Sequence, residues 1–330
     1  MKLPLSFGIT SNPRTWPILD GRVVPDAIDP LITKCDPSEL FWRQLRFADF
    51  DVSEMSMSSL MMIRAQGDDR FIGLPVFTTR QFFHTKILVR RDARINSPAD
   101  LKGKRVGVPE YQQTAALWIR GITQSEFGVT PRDMEFWMER EPARSHAGAV
   151  GFKPPPGVTI HQIPPHKSIG SMMVKGELDA CMFYIRNQNL IDRSSEDLYH
   201  HPDIKPLFPD SAAEGVRYFE KTGIYPINHG MVVKREIAER NPWVVVNLLQ
   251  AFNAANDIAN RERIEHVAYH LETGRVPERY RAALAAPLIT HGIKANRVTL
   301  ETAAGYSLEQ GLTPRLLKLA DLFAASSLDS

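Results

Sequence analysis

Cysteine is scarce in this sequence: among 330 residues only Cys35 and Cys181 occur. Their separation matches no usual spacing of metal ligands, and two free thiols are typical of a reducing compartment. The start of the chain also lacks the basic segment and apolar core of a secretory leader, because Pro4, Ser6 and Gly8 interrupt the apolar positions. From these absences we predict a cytoplasmic protein without a disulfide.

Long apolar segments and blocks of like charge are absent as well. No run of about 18 apolar residues occurs, so a membrane-spanning helix is not expected. The 40 basic and 38 acidic residues give a formal charge of +2 and are mixed along the chain. We therefore predict neither a membrane nor a nucleic acid as partner, whereas local arginine clusters still permit binding of a small anion.

The composition and periodicity that are present indicate an α/β protein. Hydrophobic residues make up 43% and charged residues 24%, as in ordinary globular domains. A chain of 330 residues exceeds the size at which a single core stops growing, so two lobes are expected. Strands and helices alternate from Leu3 and the alternation restarts after Pro98, which predicts a first lobe from residues 1–92 and 205–330 and a second from 93–204.

Period-two alternation predicts the strands, and apolar residues three to four positions apart predict the helices. Strands are expected at residues 3–10, 31–34, 50–56, 71–75, 87–89, 105–108, 135–138, 158–163, 180–184 and 231–234. Helices are expected at residues 37–47, 56–66, 114–127 and 168–175, and from residue 241 to the end with breaks at glycine and proline. Most of these strands are parallel in the predicted arrangement.

Several segments carry a resemblance to known proteins. Residues 100–108 (DLKGKRVGV) and 176–180 (GELDA) resemble the second lobe of type 2 periplasmic binding proteins. A sharper set consists of residues 51–56 (DVSEMS), 111–115 (YQQTA) with Trp118, Arg120 and Gly121, and 226–230 (PINHG). Together these segments resemble the 4,5-dihydroxyphthalate decarboxylases, a cytosolic enzyme branch of that fold, from Leu3 to about Ala259.

The resemblance implies a two-lobed type 2 periplasmic-binding-protein-like α/β fold with the ligand cleft between the lobes. It also implies removal of one carboxyl group from an aromatic dicarboxylate, 4,5-dihydroxyphthalate, to give protocatechuate and CO2 without a cofactor. A hydroxyl para to the leaving carboxylate would supply electrons, and the ring carbon would be protonated before CO2 leaves. Such a reaction needs a general acid, a partner for the hydroxyl and an anchor for the retained carboxylate.

The candidates for substrate binding lie where predicted strands end, because ligands of two-lobed α/β proteins bind at the carboxyl ends of strands. They are Asn12, Arg14, Ser53, Ser56, Arg80, Gln112, Gln113, Thr114, Arg140 and Tyr184. Arg14 and Arg140 are assigned to the retained carboxylate, since a guanidinium binds a carboxylate in two places. The unpaired amides of the helix at Thr114 would attract a carboxylate.

Each of these assignments has an ordinary structural alternative. Thr114 could simply cap its helix. The fate of most arginines is a surface salt bridge, and this alternative applies to Arg14, Arg80, Arg140, Arg144 and Arg186.

For catalysis we assign proton delivery to His84 or His229 and contact with the ring hydroxyl to Glu54. Either histidine could equally be a core residue with its hydrogen bonds satisfied. The three residues could also bind a metal ion, but no compact motif such as HExxH accompanies them, so no metal is predicted. The other histidines considered are expected to be solvated, namely His161, His166, His200 and His201.

Two other functions remain open at this point. A non-catalytic receptor could pass a small aromatic or carboxylic acid to a transporter, although the chain shows no leader. An enzyme of cofactor-precursor synthesis would need a nucleophile or iron-binding histidines, and no clustered set is evident. A homo-oligomer is compatible with the sequence.

Overall fold

The computed structural model describes residues 2–281 and 290–330, and its strands form two separate sheets. In chain order the strands of this part of the chain are β1 (Leu3–Ile9), β2 (Ile28–Lys34), β3 (Val52–Ser56), β4 (Phe71–Arg80), β5 (Ile87–Arg90), β6 (Arg105–Val108), β7 (Glu135–Met138), β8 (Thr159–Gln162), β9 (Ala180–Met182), β10 (Ile204–Pro206) and β11 (Ile227–Lys234). The first sheet has the order β2-β1-β3-β11-β4 and the second the order β10-β5-β9-β6-β7-β8. Parallel pairs connect β1 with β2 and β3, and β6 with β7 and β9, as expected for β-α-β units.

The helices cover the two sheets. In chain order they are α1 (Trp16–Leu19), α2 (Pro37–Phe47), α3 (Met57–Ala65), α4 (Thr114–Phe127), α5 (His146–Ala149), α6 (Ile169–Val174), α7 (Ser211–Thr222), α8 (Arg235–Arg240), α9 (Trp243–Glu272), α10 (Arg297–Glu309) and α11 (Leu319–Leu322). Local sequence sets their ends: Asp36 accepts a hydrogen bond from the Ser38 amide and so caps α2. Gly128, with φ 66°, ends α4 in the left-handed region that glycine adopts without strain. No helix in the described ranges is both long and apolar enough to span a membrane.

The chain crosses between the sheets at two places. It leaves the first sheet after β4, enters the second at β5, and returns between β10 and β11. The sequence-based boundary at residue 92 placed β5 in the first lobe, whereas β5 pairs antiparallel with β9 and β10 of the second sheet. Its short apolar run resembles any other strand, so the sequence could not show which sheet it joins. We propose one sheet per lobe, which places the crossovers at residues 81–86 and 207–226.

Most predicted elements occur close to their expected positions. Strand β9 ends at Met182, two residues earlier than predicted, because Phe183 has a φ of 59° and leaves the extended conformation. Strand β10 and helix α7 were not predicted, since both lie in a polar stretch with weak periodicity. The C-terminal region is helical in α9, α10 and α11, and the part of that prediction at residues 282–289 lies outside the described residues.

The two largest clusters of buried apolar side chains lie against the first sheet and between the sheets. One core joins the first sheet to α9, for example through Phe7, Leu248 and Phe252. A second, larger core lies between the sheets and includes residues of α3, α4 and α10. Within it α4 and α10 approach closely, because Gly121 of α4 lies against the ring of Tyr306.

We predict opposite effects for two glycine-to-alanine changes at this contact. In Gly121→Ala the new methyl group would lie 2.1 Å from the Tyr306 ring, so the free energy of unfolding should fall by about 1 to 3 kcal/mol. Gly305→Ala, in the middle of α10, meets no atom within 4 Å and should stabilise the helix by about 0.5 to 1 kcal/mol. Urea unfolding of both variants measures this difference. Equal stability of the two variants would contradict the close approach of α4 and α10.

Candidate active site

A cleft of about 710 Å³ lies where the two sheets meet. Its lining comes from strands, from the loops that follow them and from the N-terminal parts of helices: Thr10, Ser11, Asn12, Arg14, Lys34, Cys35, Asp36, Pro37, Ser38, Phe41, Ser56, Thr79, Gln81, Phe83, Gln113, Thr114, Ala115, Arg140, His146, Phe183, Ile185, Asn228 and His229. Seven of the residues predicted from the sequence are among them, namely Asn12, Arg14, Ser56, Gln113, Thr114, Arg140 and His229.

His229 and Glu54 form a pair at the first-lobe wall of the cleft. Strands β11 and β3 are antiparallel neighbours, and their register sets His229 opposite Ser56, two residues from Glu54 on the same face. The Nδ1 atom of His229 lies 3.5 Å from Oε2 of Glu54. This distance is at the limit of a hydrogen bond, so we describe the contact as electrostatic.

Glu54 lies behind His229 and is completely buried. Its Oε1 accepts hydrogen bonds from the Thr10 amide at 2.9 Å and hydroxyl at 2.7 Å, and its Oε2 accepts one from the Thr78 hydroxyl at 2.7 Å. Burial alone would raise the pKa of Glu54, but His229 and the donors Thr10 and Thr78 outweigh it and hold that pKa below its usual value. A fixed negative charge therefore faces the imidazole, and Glu54 does not reach the cleft surface where the ring hydroxyl was predicted to bind.

The other edge of the His229 ring is held by Asn228 and Phe41. The Asn228 side-chain amide donates to Nε2 of His229 over 2.9 Å, which assigns the ring proton of the neutral form to Nδ1, on the Glu54 side. The ring of Phe41 meets the imidazole edge to face at 4.6 Å. His229 is 9% exposed and borders the cleft, so a bound molecule can reach it.

Arg14 offers a cation to the cleft. Its Nε donates to the Thr78 carbonyl over 2.6 Å, which orients the side chain. Within the described residues no carboxylate lies near enough to form an ion pair with it, and its two Nη atoms make no hydrogen bond there. Burial lowers the pKa of Arg14, and the charges of Tyr225 and Glu54 oppose this effect. The guanidinium stays charged, as arginines do in proteins, and can bind an anion.

The start of α4 lies on the second-lobe wall. Its N-cap residue Gln113 makes no side-chain capping bond, and the Gln113 Nε2 atom is buried without a partner in the described part of the chain. Thr114 does not cap its own helix: its hydroxyl bonds Ser56 at 2.7 Å and the Ser58 amide at 2.9 Å, and so joins the two lobes. The first-turn amides and Gln113 can therefore receive an anion.

Arg140 lines the cleft but is occupied by protein groups. Its Nε donates to Asp192 over 2.6 Å and its Nη1 to Glu110 over 2.9 Å. Its Nη2 donates to Ser38 over 2.5 Å and to Asp192 over 3.0 Å. Burial opposes the charge of Arg140, but Asp192 and Glu110 outweigh it and raise the arginine pKa. Four of its five N–H groups are thus used, so the geometry does not support the predicted role as a carboxylate anchor.

His146 is a cleft residue that the sequence analysis did not find. Its Nε2 bonds the Ser38 carbonyl at 2.9 Å, and its Nδ1 lies 3.8 Å from Oε1 of Glu110. Burial lowers the pKa of His146, and this effect exceeds the opposing effect of the Glu110 charge. The neutral ring is therefore favoured. A capping serine, Ser145, precedes the short α5 and was the one local signal that could have located it.

Six of the predicted residues lie away from the cleft lining: Ser53, Glu54, Arg80, His84, Gln112 and Tyr184. His84 was predicted to deliver a proton, but its Nε2 contacts Glu214 at 3.1 Å inside a cage of aromatic rings. Arg80 bonds the Tyr225 and Thr290 carbonyls instead and also contacts Asn296. Both residues lie near the crossover between the sheets, Arg80 at the end of β4 and His84 just after it, but their side chains point to other parts of the fold.

Glu54 has been described above, and the last three of these residues form hydrogen bonds within the protein or are buried. The side chain of Gln112 contacts Glu110, and the hydroxyl of Tyr184 donates to the Glu196 carbonyl over 2.7 Å. Ser53 is fully buried in β3. In the described ranges no three histidine, cysteine, aspartate or glutamate side chains are arranged to hold a metal ion.

Two α/β lobes with a polar cleft at their junction have the fold of type 2 periplasmic binding proteins, as the sequence predicted. The alkanesulfonate-binding protein SsuA from Xanthomonas axonopodis pv. citri, solved bound to MOPS, has this fold. It matches with a TM-score of 0.57 and 14% identity over 97% of this chain and 98% of that chain. Residues 57–139 match the family described as NMT1/THI5 like.

Sequence comparison then identifies the family. The chain is 33% identical to the 4,5-dihydroxyphthalate decarboxylase of Comamonas testosteroni over 335 residues, which cover 100% of this chain and 98% of that protein. It is 38% identical over 179 residues to the protein of the same name from Pseudomonas putida, covering 54% of this chain and 69% of that protein. The chain belongs to the 4,5-dihydroxyphthalate decarboxylase family, which confirms the resemblance found in its motifs.

The lowered pKa of Glu54 predicts a specific pH dependence of stability. Because the folded-state pKa lies below the unfolded value of about 4.3, Glu54 stabilises the fold above that pH, and this contribution is lost as the pH falls through the folded pKa. Glu54→Gln should therefore reduce the free energy of unfolding at pH 7 by about 2 kcal/mol, with a smaller difference at pH 3. Urea unfolding at both pH values tests this, and a difference independent of pH would contradict an ionised Glu54.

Proposed function

We propose that this chain removes one carboxyl group from an aromatic dicarboxylate, and that its substrate is 4,5-dihydroxyphthalate, which yields protocatechuate and CO2. Membership in the family and the names of its curated relatives support the reaction. The observation that carries the proposal is the His229–Glu54 pair, since it sets a proton-exchanging ring over a fixed negative charge at the cleft wall. Imidazole is the side chain best suited to deliver a proton near neutral pH.

The cleft matches a planar dianion. Arg14 on the first lobe and Gln113 at the start of α4 on the second lobe can each receive a carboxylate. Between these polar positions the lining is apolar and aromatic, with Phe41, Phe83 and Phe183. Apolar walls with a few convergent polar groups are typical of small-molecule sites, and they favour an aromatic ring over a flexible acid.

The reaction balances with one proton and no redox partner. The imidazolium of His229 gives the proton on Nε2, which accepts from Asn228 only in the neutral form, to the ring carbon that bears the leaving carboxylate. The hydroxyl para to that carboxylate supplies the electrons. The carbon–carbon bond then breaks, CO2 leaves, and the electron pair restores the aromatic ring. Glu54 stabilises the positive imidazole before the transfer, so we assign it to support of His229 rather than to the ring hydroxyl.

The retained carboxylate is assigned to Arg14. Arg140 was predicted to share this task, but two carboxylates already neutralise it. We therefore assign Arg140 a structural role in the second-lobe wall. The predictions of a cytoplasmic location and of activity without a cofactor or metal remain part of the proposal. A possible homo-oligomer also stays a prediction.

Replacement of His229 tests the proton donor. His229→Asn should lower kcat by about a hundredfold to ten-thousandfold and change KM much less, because a positioned general acid contributes in that range. His84→Asn is the control, since His84 lies outside the cleft: it should reduce stability but leave kcat within a few-fold. Release of CO2 from 4,5-dihydroxyphthalate measures both. Normal turnover of His229→Asn would show that another residue donates the proton.

Wild-type turnover in deuterated water separates an enzyme from a receptor. The reaction should be slowed and should place one deuterium on protocatechuate, ortho to the retained carboxylate, because the new ring proton comes from the solvent-exchanged imidazole. Proton NMR of the product shows the position. Tight binding of 4,5-dihydroxyphthalate without any release of CO2 would instead support a non-catalytic binding protein.

The anchor is tested by a change that keeps its charge. Arg14→Lys should raise KM at least tenfold, since lysine cannot form the paired hydrogen bonds of a guanidinium with a carboxylate. Arg22→Lys, at an exposed ion pair with Asp20, is the matched control and should behave like wild type. Steady-state kinetics of both variants give the answer, and an unchanged KM in Arg14→Lys would remove Arg14 from the site.

A further inference from the structure

Ser38, the second residue of α2, is the point at which the first lobe meets the ion network of the second. Its hydroxyl donates to Asp192 over 2.6 Å and accepts from Arg140 over 2.5 Å. Its carbonyl accepts from Nε2 of His146 over 2.9 Å. All three partners belong to the second lobe, and all four residues are buried. One residue of the first lobe therefore completes three hydrogen bonds of the second.

The same turn of α2 also holds the loop that carries Asp192. The Asn189 side chain lies 3.3 Å from Asp36, and the Leu190 amide donates to Glu39 over 3.0 Å. The contact of Leu190 is exposed and that of Asn189 is partly buried, so water can replace them more easily than the buried contact of Ser38 with Asp192. The inner contacts should thus contribute more to holding the lobes together.

Ser38 is connected to the proposed acid through its own helix. Residues three apart on a helix share a face, so the docking of Ser38 fixes Phe41 one turn further along. The ring of Phe41 lies 4.6 Å from the His229 ring and 5.6 Å from the His146 ring, measured between centroids. A contact between the lobes at Ser38 is therefore transmitted to the imidazole of His229.

We infer that Ser38 is a positioning residue, which joins the lobes over a bound aromatic dicarboxylate and sets Phe41 against His229. This inference rests on the proposed function for the identity of the substrate. If the lobes separate, Ser38 leaves while Arg140 keeps Asp192 and Glu110, since these three lie in the same lobe. The open state therefore remains neutralised without Ser38, and the serine favours the closed state alone.

The test uses phthalate, an aromatic dicarboxylate that lacks the ring hydroxyls, as the probe. Ser38→Ala should weaken phthalate binding in calorimetry about tenfold or more, because a buried hydrogen bond to charged groups is lost in the closed state only. Small-angle scattering should show that the variant needs correspondingly more phthalate to reach the compact wild-type radius of gyration. With 4,5-dihydroxyphthalate, KM should rise more than kcat falls. Ser211→Ala, near the start of α7, is the matched serine control and should match wild type.

A second variant keeps the test independent of one substitution. Asp192→Asn removes the charge of the acceptor in the same hydrogen bond, so the losses of phthalate binding in the two single variants should combine less than multiplicatively in the double variant. Multiplicative losses, or unchanged binding and compaction in Ser38→Ala, would overturn the inference. The binding and scattering measurements need no turnover. Failure of wild-type protein to release CO2 would therefore sink the proposed function while Ser38-dependent compaction still supported this role.

Discussion

Arg140 is buried between the carboxylates of Glu110 and Asp192, and the second-lobe wall of the cleft is arranged around the balance of these charges. Leaving one partner of such a buried network unpaired costs several kcal/mol, so the groups around it are held in fixed positions. Glu110 balances Arg140 and also accepts the amides of His146 and Ala147, which fixes the start of α5. Asp192 balances it from the other side and ties down the loop at the cleft rim. Because Glu110 and Asp192 already pair with the guanidinium, its charge stabilises the wall of the cleft and is not available to bind a ligand.

The first-lobe wall is also arranged around a buried charge, but this charge is negative. There the buried charge is the carboxylate of Glu54, hydroxyl and amide groups hold it in place, and a histidine lies between it and the cleft. Arg14 and Lys34 then face the cleft without an ion pair in the described part of the chain, and Asp36 is the one carboxylate residue among the lining residues. The unbalanced charge at the surface of the cleft is thus positive, which suits a dianionic ligand and agrees with the family.

The sequence predicted the strands well and the site in part, and the division has a physical reason. Strand periodicity is local, and Arg14 and Gln113 were found because loops after strands converge on the cleft, whereas His229 was expected just before a strand and lies within β11. The same rule failed for Arg80 and His84, because nearness to a strand end does not reveal which way a side chain points; β4 pairs with β11 through register shifts that alter this direction. Ser38 and His146 are 108 positions apart in sequence, and no local pattern records their contact.

The position of β11 bears on the order in which the molecule can form. This strand lies between β3 and the edge strand β4 of the first sheet, although about 150 residues of chain separate it from β4. All strands of the second sheet precede it, between Ile87 and Pro206. On a ribosome all strands of the second sheet are therefore synthesised before β11, the strand that joins β3 to β4. Until β11 emerges, the facing edges of β3 and β4 stay unpaired. At this stage the nascent chain can form wrong strand pairs and offers open edges that chaperones can bind.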